Sequence, residues 1–98
     1  MLIPKKVKIG GVTYDVIKDY TFTERSDIVG QADHSTLQIK LAKLDGNEPI
    51  AQSRLEEVFI HETLHAIDAV YNASKLVEED VMRLSNGLYQ VFKDNKIF

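Results

Sequence analysis

No glycine or proline interrupts residues 50–86, the stretch between Pro49 and Gly87. Those two residue types are the strongest breakers of a helix, so a long run without them commits to helix wherever it also carries a helical apolar period. Leu55, Val58, Phe59, Leu64, Ile67 and Val70 recur at steps of three and four residues, which predicts a helix over about 50–72, with Pro49 acceptable at its first turn. Tyr71-Asn72-Ala73-Ser74 breaks the period. Val77, Val81, Leu84, Leu88, Val91 and Phe92 then mark one side of a second helix over about 75–94.

The first half of the chain has a different period. Val7 to Ile9 and Val12 to Ile17 alternate apolar with polar residues around Gly10-Gly11, predicting strands over about 5–10 and 12–19 joined by a tight turn. Ile28 to Asp33 and Thr36 to Leu41 flank a polar Asp33-His34-Ser35 turn and form a second predicted hairpin. Residues 20–27 have no sustained period and read as a connection or a further short strand. Leu44 to Pro49 reads as a turn cluster. The expected fold is α+β: N-terminal antiparallel β-hairpins, then two helices, in one domain spanning 1–98.

The first helix carries His61-Glu62-Thr63-Leu64-His65. Positions i and i+4 lie one above the other on a helix, so both imidazoles can reach one metal ion while the carboxylate at i+1 flanks it. H-E-x-x-H in this setting is the pattern of a zinc hydrolase, with the histidines as ligands and the glutamate as general base. Catalytic zinc keeps three protein ligands and an open position for water, so a third donor is expected. There is no cysteine. The remaining histidine, His34, lies in a polar turn of the β half, whereas the second helix opens with Glu78-Glu79-Asp80. With Val81, Leu84, Leu88 and Phe92 as the buried stripe, Glu78 falls at its edge, Asp80 further off and Glu79 opposite. Glu78 is therefore favoured over its two neighbours, which equally suit a helix N-terminus as plain dipole partners.

With these residues in place the chain resembles the gluzincin metallopeptidases, in which a glutamate on the following helix completes H-E-x-x-H. Glu78-Glu79-Asp80-Val81-Met82-Arg83-Leu84-Ser85 is similar to their second motif, and residues 28–92 together resemble ImmA/IrrE-type and minimal zincin-like domains, many of them encoded by phages. The resemblance implies Zn²⁺ held by His61, His65 and Glu78, Glu62 as base, and a peptide or protein substrate, such as a regulatory protein in a bacterial or phage setting. Two departures stand out. Met82 occupies the place four residues after the ligand glutamate where that group often has Asp or Asn, so Asp68 is the candidate to support a histidine instead. Glu78 also follows His65 by only 13 positions, which leaves little room for substrate-binding elaboration.

Other expectations follow from composition and strand order. A net charge of −3 with scattered Lys and Arg argues against a nucleic-acid partner. No apolar run reaches membrane-spanning length and the N-terminus lacks a secretory core, so the expected location is the cytoplasm of a bacterial host. An extended peptide is expected to add to the edge of the Thr36 to Leu41 strand, with oxyanion help from His34, Tyr71 or Tyr89. The alternative expectation is a zinc-binding interaction module with little or no proteolysis. Oligomeric state is not legible.

Overall fold

The computed structural model describes residues 1–23 and 27–97, and its architecture is α+β, a mixed four-stranded sheet with two helices. Residues 24–26 of the predicted 20–27 connection lie outside the described residues. The strands are β1 (Lys6–Ile9), β2 (Val12–Tyr20), β3 (Gly30–Asp33) and β4 (Gln38–Ala42), followed by the short pair β5 (Leu44–Asp45) and β6 (Glu48–Pro49) and by α1 (Gln52–Tyr71) and α2 (Glu78–Asp94). β1 pairs antiparallel with β2 through a turn in which Gly10 takes φ 61°, and β3 pairs antiparallel with β4. That second turn is tied by Asp33, whose Oδ1 accepts from Ser35 N–H, Ser35 Oγ and Thr36 N–H. The cluster at 44–49 is itself a small hairpin turning at Gly46, φ 63°.

The sheet order is β1-β2-β4-β3, with β2 and β4 parallel. Local periodicity marks which residues extend but not which distant strand they meet, so this parallel contact was not legible. It corrects one expectation: the Thr36 to Leu41 segment, whose ordered strand is β4, is interior and offers no edge. The edge beside α1 is β3. Ala42 N–H donates to Val29 O at 2.9 Å. By the alternation of an antiparallel ladder, Gln31 and Asp33 then bond to β4, while Gly30 and Ala32 turn their main-chain groups outward.

The core lies between the sheet and α1, with Ile9, Tyr14, Val16, Ile39 and Leu41 meeting Val58, Phe59 and Ala66. α2 packs chiefly on α1, not on the sheet. One-sided packing explains a second difference from expectation: Val81 and Ser85 are buried, whereas Val77, Leu84, Leu88 and Val91 are exposed, as are Ile67 and Val70 of α1. An apolar stripe shows that a face can be covered and not what covers it.

β3 approaches α1 closely because Gly30 has no side chain. A Cβ there would lie 2.5 Å from Val58 Cγ1 and 3.1 Å from Glu62 Cγ and Oε2. Gly30→Ala is expected to destabilise the fold by about 1–3 kcal/mol through this overpacking. A lowered urea midpoint with unchanged slope would record it; an unchanged midpoint would mean that β3 sits further from α1 than described.

Candidate metal centre

On α1, Val58, Glu62 and Ala66 follow one another at four-residue steps and are all buried. Glu62 thus occupies a core-facing position, only 8% exposed, where an uncompensated carboxylate is costly. His61 and His65 flank that line towards the side where α2 begins, their ring centroids 4.9 Å apart. Across from them, Glu78 sits at the first position of α2, its Oε1 2.8 Å from His61 Nε2 and its Oε2 2.8 Å from His65 Nε2. The structure therefore brings together His61, His65 and Glu78, with one donor atom from each within 4.8 Å of the others. Glu79 and Asp80 are not part of this group, and Asp80 instead pairs with Arg83 at 2.9 Å.

The position of Glu78 depends on the turn before it. Asp68 is 4% exposed and does not support a histidine. Its carboxylate accepts from Leu76 N–H at 3.3 Å and from Asn72 Nδ2 at 2.9 Å, while its carbonyl accepts from Asn72 and Ser74 N–H. These bonds fix the α1–α2 connection, in which Ala73 and Ser74 both take positive φ, and so set where α2 starts.

The residue that does touch a candidate ligand from behind is Ser85. It is fully buried on the same side of α2 as Glu78, with Oγ 3.4 Å from His61 Nδ1 and 3.1 Å from Met82 O. Its hydroxyl proton goes to the Met82 carbonyl, so its lone pair accepts from Nδ1–H. With no ion present the 2.8 Å contact to Glu78 takes an Nε2–H donor; with zinc bound, an Nδ1–H held by Ser85 would leave Nε2 of His61 free as the ligand atom. A hydroxyl at the seventh residue after Glu78, inside an apolar stripe, was the sequence signal for this contact. Ser85→Ala is expected to weaken zinc binding by roughly 10–100-fold, with partial rescue by Ser85→Thr. Competition against a chromophoric chelator measures it; wild-type affinity in Ser85→Ala would remove the hydroxyl from the site.

Burial raises the Glu62 carboxyl, the nearby Glu78 charge raises it further, and a hydrogen bond from Ala32 N–H opposes both, leaving it at about 7. The donor Ala32 is one of the outward-turned residues of β3, so the edge strand itself holds the carboxylate.

A cleft of about 310 Å³ opens beside the group, between residues 28–30 on one wall and α1 on the other. None of the three residues expected to help an oxyanion lines it. His34 Nδ1 lies 3.1 Å from Tyr14 OH, Tyr89 OH donates to Glu56 at 2.9 Å, and Tyr71 packs against Gly10. Arg54 lines the cleft in their place, a residue the sequence reading passed over.

Two imidazoles and one carboxylate are a donor set that suits zinc. Tetrahedral coordination separates donors by roughly 3.3 Å, against a spread of up to 4.8 Å among these three donor atoms, so side chains must draw together around the ion, which the 64% exposed Glu78 is free to do. The residues present fit the ion. Among the described residues no helix is long and apolar enough to cross a membrane. The chain matches no family model, no curated protein and no solved structure.

Proposed function

We propose that this chain is a zinc-dependent metallopeptidase, with His61, His65 and Glu78 as metal ligands and Glu62 as general base. The observation that carries the reading is the convergence of Glu78 on both Nε2 atoms with Glu62 buried alongside. Zinc there would supply a water activated towards neutral pH and polarise a peptide carbonyl. Glu62, held by Ala32 N–H, takes a proton from the attacking water and delivers it to the leaving nitrogen. Ser85 keeps His61 in the tautomer that presents Nε2. The outward main-chain groups of β3 at Gly30 offer an extended peptide a strand to pair with.

A second reading, a zinc-binding interaction module with little proteolysis, draws support from the exposed apolar residues Leu84, Leu88 and Val91 on α2 and Val77 just before it, a face suited to a protein partner. Incubating zinc-loaded protein with a library of internally quenched peptides separates the two. Zinc-dependent cleavage abolished by Glu62→Gln supports the peptidase, whereas stoichiometric zinc without cleavage supports the module.

A further inference from the structure

The cleft extends beyond the metal group. From His61 its α1 wall continues N-terminally past Glu57 to Arg54. A helix rises 1.5 Å per residue, so Glu57 lies about 6 Å and Arg54 about 10 Å along the axis from His61. The facing wall is the segment leading into β3, and Gly30 at its end turns its N–H and C=O away from β4. Those groups meet no strand among the described residues.

Both charges are available to a ligand. Arg54 pairs with Asp45 at 3.7 Å, each side chain about half exposed, and such a pair exchanges readily for another carboxylate. Glu57 is partly buried, and among the described residues it has no ion-pair or hydrogen-bond partner. Side chains of an extended peptide alternate, so two that face α1 are separated by one residue, about 6.6 Å. Helix residues three apart stand about 5–6 Å apart, close enough for flexible charged side chains to meet in register.

We propose that the cleft is a charge-ordered site for an extended peptide. Reading outward from the scissile bond, it takes a basic side chain against Glu57 and, two residues further on, an acidic side chain against Arg54. The position of the scissile bond rests on the metallopeptidase reading, but the binding preference does not need cleavage.

The test uses two fluorescein-labelled octapeptides of equal net charge, each symmetric about a central Ala-Ala bond so that either chain direction is sampled. One has lysines inside and glutamates outside; the other has the charges exchanged. Fluorescence anisotropy with the zinc-loaded 98-residue Glu62→Gln chain should show the first binding about tenfold more tightly at low salt, with the preference fading at about 0.5 M NaCl. Exchanging the protein's charges, Arg54→Glu with Glu57→Lys, should invert the preference, with circular dichroism checking that the variant folds. Equal affinities, no binding of either peptide, or a preference unmoved in the folded exchange variant would overturn the proposal. Unbiased binding with cleavage by the wild type overturns this site and leaves the peptidase standing. Biased, exchange-sensitive binding with no cleavage supports this site and overturns the peptidase.

Discussion

Replacing Glu62 by Gln is expected to lower peptide hydrolysis by roughly 10²–10⁴-fold, the usual contribution of a general base, while zinc stoichiometry stays the same. The amide is isosteric, so it can keep the place between Val58, Ala66 and β3, but it cannot carry a proton from water to the leaving nitrogen. The same substitution has a second signature in the metal-free protein. Burial, then the Glu78 charge, holds the Glu62 carboxyl at about 7 against an ordinary value of 4.5, the Ala32 hydrogen bond opposing them. A carboxyl raised by folding stabilises the fold when protonated. That contribution is fully present below about pH 4.5 and is lost as pH rises through about 7. Metal-free wild type should therefore lose about 1–3 kcal/mol from this site between pH 5 and 8, and Glu62→Gln should lack that component. Urea midpoints against pH for both proteins measure it. A variant that retains cleavage would deny Glu62 its role as base, and one whose pH profile matches the wild type would deny it the buried environment.

Glu78→Ala is expected to cost at least roughly 100-fold in zinc affinity, more than the loss of a supporting contact, because a donor to the ion is removed outright. The fold should tolerate the change, since the Glu78 side chain is 64% exposed and its described contacts are to the two imidazoles. A chelator competition read alongside thermal unfolding distinguishes loss of a ligand from loss of structure. Zinc affinity unchanged in Glu78→Ala would transfer the third position to another group and break the site as described. Glu79→Ala, which removes a neighbouring acid outside the group, serves as the control and should bind zinc like the wild type.

Much of this arrangement is legible in the residues because it is local. The steps of α1 and the i, i+4 spacing of His61 and His65 follow from helical geometry; Glu78 is favoured through a stripe of which Leu84 and Leu88 are exposed, and in the structure it shares the side of Val81 and Ser85 instead. Glu62 could also be marked from the sequence, as a charge set in line with Val58 and Ala66. What stayed hidden depends on contacts between distant segments. The parallel meeting of β2 with β4 moved the free edge from Thr36–Leu41 to β3, and the local alternation of both strands is the same in either arrangement. Asp68 looked like a partner for a histidine because it lies three residues after His65, but its carboxylate faces the turn and ties Leu76 and Asn72. Ser85 and Arg54 were passed over for a related reason: a lone hydroxyl or guanidinium acquires meaning only once another helix or strand faces it.

X-ray absorption at the zinc edge, on stoichiometrically loaded wild type and on Glu78→Ala, tests the three-ligand centre most directly. The predicted result is one zinc per chain with two imidazole nitrogens at about 2.0–2.1 Å and carboxylate oxygen at about 2.0–2.2 Å, the carboxylate and most of the bound zinc being lost in the variant. Failure of the wild type to hold one zinc at neutral pH, or a spectrum without the imidazole pair, would contradict it.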